Sequence, residues 1–241
     1  RWRTVLLPHV QALSFIESPA QQLIDDGSLR MTLPGTTRDS LERTMLLPAV
    51  DRSVTIDVLE RLFAEIAPET GNALRTIQGS LHRLPPSARR SYLLRWVWRL
   101  LPVTSILVIG MYLIPGGLNP LWGGLPLVVI GAFGAWLGNI RFRDAGWRVD
   151  ERGVLAVRER GLSRVTRVAR RERLVWTRAS QLRLFAGKNV TFVASVAGAG
   201  ARPGILSKIL GYGLVSRSDS RFRVRGLLDT EAIELIDRLG K

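Results

Sequence analysis

Forty-one consecutive residues, 100–140, contain no Asp, Glu, Lys or Arg. The whole chain carries thirty-five cations and twenty anions, so an even spread would place roughly nine charges in that window. A helix rising about 1.5 Å per residue needs about 20 apolar residues to cross the hydrocarbon of a bilayer. The window and the apolar run before it supply two such lengths, 94–114 and 120–140, separated by the turn-forming Pro-Gly-Gly-Leu-Asn-Pro of 115–120. The sequence therefore predicts a transmembrane helical hairpin.

The flanks orient that hairpin. Arg89, Arg90, Arg95 and Arg99 precede or open the first span, Arg141, Arg143 and Arg148 follow the second, and the turn carries no charge. An Arg at the bilayer centre costs about 2.5–3.5 kcal/mol on the insertion scale, so these cations belong at the surface, and the positive-inside rule places both ends in the cytoplasm. These seven arginines are the expected contacts for anionic lipid headgroups. Trp96, Trp98, Trp122, Trp136 and Trp147 fall near the span ends, where an aromatic belt would hold them. Gly134 and Gly138 have the spacing that lets membrane helices approach closely, and Gly110 on the first span is their expected opposite number.

Outside the hairpin, the chain reads as two related segments. Residues 4–23 and 166–185 align at an offset of 162, with Thr4 on Thr166 and Ser18 on Ser180. Each is followed by an alternating strand (28–33 and 189–196) and a short basic strand (43–47 and 221–225). Each then ends in an amphipathic helix: Val58, Leu59, Leu62, Phe63 and Ile66 line the first, and Ala232, Leu235, Ile236 and Leu239 the second. Asp229 or Thr230 is the expected cap of the second helix. The second segment holds an insertion over 197–213. It also has a strand over 148–161 for which the first segment offers only three residues, so the chain is expected to be the carboxy-terminal part of a longer protein. The expected organisation is a truncated first domain (1–66), a polar, basic linker (67–93), the hairpin (94–140) and a second domain (141–241).

The stretch 141–164, with Arg143, Asp144, Gly146 and Trp147 directly after a span, resembles the bacterial pleckstrin-homology-like, membrane-flanked proteins, also classed as domain of unknown function 304. Thr4, Pro8, Val10, Gln11, Ser18, Pro19 and Gln21 match the Thr, the short strand and the Ser-Pro-x-Gln turn of that family. The second segment departs from it, with Arg173 in place of Gln and Ser-Gln-Leu-Arg-Leu in the turn. The resemblance implies curved antiparallel sheets of pleckstrin-homology type, each closed by a terminal helix and attached to a bacterial inner membrane. The expected fold class is thus an α+β membrane protein, and the resemblance implies no reaction.

The residues agree on that last point. With no Cys, the chain has neither thiolate ligands nor a cysteine nucleophile, and His9 and His82 stand far apart without a metal-binding frame. The Gly-rich run 198–204 misses the dinucleotide spacing and lacks a βαβ unit, and Gly187-Lys188 lacks the preceding glycine of a phosphate loop. Asp25 and Asp26, beside Gly27, read as turn residues rather than an acid–base pair. No cofactor or metal is expected. The arginines of 162–176 and 221–225 read as solvent-facing. The expected function is a membrane-anchored, non-catalytic scaffold whose domains bind each other, another membrane protein through sheet edges, or anionic lipid, in envelope maintenance. Two alternatives are a membrane enzyme or transporter component whose active part lies before residue 1, and a membrane-tethered nucleic-acid binder. Nucleic acid is disfavoured because the few aromatics offer no stacking platform.

Overall fold

The computed structural model describes residues 9–33, 45–51, 54, 57, 81–113, 120–150, 153–181, 189–197 and 221–240. The expected helix over 58–66 and almost all of the insertion over 197–213 lie outside them, as do the side chains of Arg95, Arg99, Trp96, Trp98 and Trp122.

Among the described residues, ten strands and three long α-helices follow in order: β1 (Ala12–Glu17), β2 (Asp26–Thr32), β3 (Met45–Asp51), β4 (His82–Arg83), α1 (Pro86–Leu113), α2 (Pro120–Asp144), β5 (Gly146–Val149), β6 (Val154–Arg160), β7 (Arg164–Arg170), β8 (Leu174–Gln181), β9 (Val190–Val196), β10 (Arg221–Leu227) and α3 (Asp229–Gly240). They form two sheets, one of seven strands in the order β3-β2-β1-β7-β6-β5-β4 and one of three in the order β10-β9-β8. The larger sheet joins the two segments of the chain. Its central β1 pairs with β2 of its own segment on one edge and with β7 on the other, in the antiparallel register Leu13↔Val168 and Glu17↔Arg164.

Local chemistry explains most elements. The β5–β6 hairpin closes where the Gly153 N–H donates to the Asp150 carbonyl at 2.9 Å, with Gly153 at φ +74°, in the left-handed region. In β10 the arginines alternate with buried Phe222 and Val224, and in α3 the stripe Ala232, Leu235 and Leu239 is buried. The α3 start differs in detail from expectation: the Glu231 carboxylate accepts from the Leu228 N–H at 3.0 Å, so an acid reaching back from the first turn, not Asp229 or Thr230, satisfies that donor. The main core joins Trp147, Leu155, Val157 and Ala12 of the large sheet to Phe192, Ala194, Phe222 and Val224 of the small one, with Leu235 of α3 and Ala88 of α1. A second cluster gathers Leu13, Leu29, Met31, Val154, Ala156 and Val168 from the four central strands.

The expected fold class is corrected at two points. Among the described residues no helix is long and apolar enough to cross a membrane. The spans 94–114 and 120–140, the membrane and transmembrane character and the multi-pass inner-membrane location are overturned with it. The helices are not bounded by the charges that were to end them: α1 starts at Pro86 and takes in Arg89 and Arg90, and α2 runs on through Arg141, Arg143 and Asp144. Described side chains of α1 also include Pro102, Thr104 and Ser105. The second correction is architectural. Instead of separately closed curved sheets on either side of a membrane hairpin, one seven-stranded sheet runs through both segments.

The helices pack on each other and on the sheets. Tyr92 meets Phe142 edge to face at 6.1 Å between ring centroids. Ile106 and Ile109 of α1 and Val128, Val129, Phe133 and Trp136 of α2 are exposed. Trp147, expected in an aromatic belt, is a core residue of β5 whose ring lies 5.3 Å from that of His82. A β-carbon on Gly138 would stand 2.9 Å from the Tyr92 carbonyl oxygen, whereas one on Gly110 would meet nothing within 4 Å. Gly138→Ala is therefore expected to destabilise the protein by about 1–3 kcal/mol. Gly110→Ala is expected to stabilise it by up to about 1 kcal/mol through helix propensity. Urea denaturation of the two variants checks the contrast, and equal effects would remove the close approach at Gly138.

Candidate functional site

Among the described residues, the line where β1 meets β7 brings together buried Ser14, Glu17 and Arg167. At its lower end the chain turns after β1. The Ser18 N–H donates to Gln21 Oε1 at 3.0 Å and the Gln21 N–H to Ser18 Oγ at 3.3 Å, a reciprocal pair that explains the spacing of the Ser-Pro-x-Gln turn. The chain leaves the turn through Asp25 at φ 52°, a conformation that Asp tolerates better than most residues. Gln22 then donates through Nε2 to the carbonyls of Glu17 (2.9 Å) and Leu162 (3.2 Å), tying the turn to the β6–β7 connection.

Around that turn four charges form a closed lattice. Arg164 Nη1 lies 3.3 Å from Glu17 Oε1, and its Nε 3.4 Å from Asp144 Oδ2 at the end of α2. Arg160 pairs with the same Asp144 through Nη1 and donates through Nη2 to Gln22 Oε1 at 2.7 Å. Two guanidiniums thus face two carboxylates, and the Glu17 side chain is only 2% exposed. Such a neutral set holds three elements in register and has no charge left over for a ligand.

Three residues back along β1, on the other face of the sheet, the balance differs. Ser14 stands opposite Arg30 of β2 and Arg167 of β7, so the three side chains project from one face of the sheet. Arg167, at 0% exposure, is the largest fully buried side chain described, and Ser14 is buried to the same degree. Arg167 Nη1 lies 3.2 Å from Glu159 Oε2, which is on the same face two residues along from Val157, the partner of Arg167 in β6. Ser14 Oγ and Arg30 Nε are buried without a hydrogen-bond partner. The expectation that the arginines of 162–176 all face solvent is corrected here.

A second feature lies on the small sheet. β8 occupies one end of it and pairs with β9 alone among the described strands. Residues 175–181 are exposed throughout, with Val175 at 64% and Trp176 at 42%. Its run Trp-Thr-Arg-Ala-Ser (176–180) repeats the frame of Val-Thr-Arg-Val-Ala (165–169) in β7, the strand that receives β1.

The residues singled out from sequence are placed differently. Arg89 and Arg90 are exposed at the start of α1, Arg143 is exposed near the end of α2, and Arg141 and Arg148 are half-buried. The packing of Gly138 and Phe142 on Tyr92 brings Arg89, Arg90, Arg141 and Arg143 to the same end of the helix pair. Gly134 is buried and Gly110 is not. Sequence reasoning missed Ser14, Arg30, Arg167 and the lattice around Glu17. The one available signal was Ser14, a polar residue in the middle of an otherwise apolar Ala-Leu-Ser-Phe-Ile strand. Among the described residues no group of three or more His, Cys, Asp or Glu is placed to hold a metal ion. No known protein family, curated protein or solved structure matches the chain.

Proposed function

We propose that this chain is a non-catalytic binding protein that acts as a scaffold by adding an extended strand of a partner protein to β8. The observation that carries the reading is the pairing of β1 on β7 beside a second strand, β8, that shares Thr-Arg with the β7 frame, is exposed over 175–181 and pairs with β9 alone among the described strands. An unpaired edge offers a row of N–H and C=O groups that a further strand satisfies at little cost in geometry. The partner segment is expected to resemble β1, with apolar residues and a carboxylate. β1 ends in Glu17 beside Arg164, and β8 carries Arg178 amid a chain with a formal charge of +15. The proposed kinship with the bacterial pleckstrin-homology-like family rests on the turn at Ser18 and Gln21 and on the junction at Asp144, and is consistent with binding rather than catalysis.

The test uses the intact protein and a synthetic peptide of residues 11–18, Gln-Ala-Leu-Ser-Phe-Ile-Glu-Ser. Amide hydrogen exchange is expected to slow across 174–181 when the peptide is added. A peptide with Pro in place of Phe15 loses a backbone donor and is expected to give no protection. Arg178→Glu places a negative charge on the strand that receives an acidic peptide and is expected to weaken binding by roughly tenfold. Absence of protection in β8, or protection confined to β1 and β7, sinks the reading. So does tight binding of duplex or single-stranded nucleic acid at physiological salt, which would assign the basic charge to a different partner.

A further inference from the structure

The geometry points to a small-oxyanion site on the face of the seven-stranded sheet, formed by Arg30, Ser14 and Arg167, that takes a phosphate or carboxylate group. The inference is independent of strand addition at β8.

Three observations support it. The first is the Ser14 hydroxyl, which is fully buried and hydrogen-bonded to nothing. Buried hydroxyls in folded proteins nearly always have a partner, and an orphan of this kind calls for a bound group. The second is Arg30, whose Nε is also buried without a partner although the residue itself is half-exposed. The third is register. Ser14 is the direct neighbour of both arginines, and strands lie about 4.8 Å apart, so the two guanidinium stems flank the hydroxyl at about 5 Å on either side.

Charge counting gives the sign of the ligand. Arg30 and Arg167 bring two positive charges to this face and Glu159, already bonded to Arg167, brings one negative charge. Arg30, whose Nε is buried without a partner, has no carboxylate against it among the described residues, at a place where burial makes an uncompensated ion costly. A bound anion would remove that excess. Guanidinium forks beside a hydroxyl donor match the oxygens of a carboxylate or a phosphate, which accept several hydrogen bonds in one plane or tetrahedron. Halide has no such directional demand. The lattice of Arg160, Arg164 and Glu17 with Asp144 projects from the opposite face of the sheet and is internally neutral, so it does not compete for the same ligand.

The test is thermal unfolding and isothermal titration of the intact protein with inorganic phosphate, sodium acetate and sodium chloride, all at one ionic strength. Phosphate or acetate is expected to raise the unfolding midpoint saturably, and chloride to leave it unchanged. A response to phosphate alone identifies a tetrahedral anion, and a response to acetate alone a planar one. Ser14→Ala removes no existing hydrogen bond and so keeps the fold, yet it is expected to weaken the anion by roughly tenfold, the worth of one charge-assisted hydrogen bond. Arg30→Gln, at a half-exposed position, is expected to abolish saturation, and it serves as the readout if the Ser14 variant fails to fold. The inference is overturned if neither anion binds. It is equally overturned if chloride acts as strongly as phosphate, or if wild type and both variants respond alike, since each of those outcomes reports general screening of a basic protein.

Discussion

Replacing Gly226 by Ala is expected to lower stability by about 3 kcal/mol and the thermal midpoint by roughly 10 °C. Gly226 sits in β10, where the register with β9 shifts between Arg225 and Leu227, and its backbone is left-handed at φ +81°. A side chain there pays about 1–2 kcal/mol for that conformation alone. A methyl group would also collide with the β-carbon of Ala88, which is fully buried in the first turn of α1. Overpacking of a closed core typically costs about 1–3 kcal/mol more. The two contributions can be separated. Ala88→Gly in the Gly226→Ala background removes the collision and leaves the backbone strain. The double variant is therefore expected to be more stable than the sum of the single effects by about 1–2 kcal/mol. Urea unfolding followed by far-ultraviolet circular dichroism measures all three proteins. A Gly226→Ala variant within about 0.5 kcal/mol of wild type would overturn both contributions, and strictly additive Gly226→Ala and Ala88→Gly effects would mean that α1 does not dock on β10 at this point.

The same position shows what a sequence can disclose. Gly226 ends the run Arg-Phe-Arg-Val-Arg, whose alternation announces a strand with Phe222 and Val224 inward, and both are buried. The stripe of Ala232, Leu235 and Leu239 announces the helix that follows. These are local patterns, set by side chains two to four residues apart. The pairing of β1 with β7 has no such signature, because it joins Leu13 to Val168 across more than half of the chain. Arg167 illustrates the consequence. In Arg-Val-Thr-Arg-Val-Ala-Arg every arginine looks equivalent, yet β1 covers one edge of that strand and Arg167 becomes fully buried beside Glu159. The orphan hydroxyl of Ser14 is visible only after that register is known. The uncharged window misleads for a related reason. Freedom from charge over 100–140 does identify helical sequence, but the helices α1 and α2 extend past it to Arg89 and Arg90 at one end and to Arg141, Arg143 and Asp144 at the other. Asp144 is fixed there by Arg160 and Arg164, two residues that no pattern within the window contains.

Glu17→Ala is expected to cost about 3 kcal/mol and to loosen one seam rather than the whole protein. The Glu17 carboxylate is 2% exposed and faces Arg164, whose side chain is 21% exposed. Removing the acid leaves Arg164 with Asp144, which Arg160 already engages, so two guanidiniums share one carboxylate. A buried pair broken from one side typically loses about 3–5 kcal/mol, and the partial exposure of Arg164 puts the expectation at the lower end. Glu17→Gln keeps an acceptor for Arg164 and is expected to lose about half as much. The informative variant is Glu17→Leu with Arg164→Met. Removing both charges spares the fold an unpaired buried ion, so the double variant is expected to be more stable than Glu17→Ala even though it lacks the pair altogether. Amide exchange locates the damage. In Glu17→Ala, protection is expected to fall along β1 and β7, where Glu17↔Arg164 closes the register, and to persist along β9 and β10 in the small sheet. A double variant no more stable than Glu17→Ala, or uniform loss of protection in both sheets, would show that the lattice does not hold the two segments of the chain together.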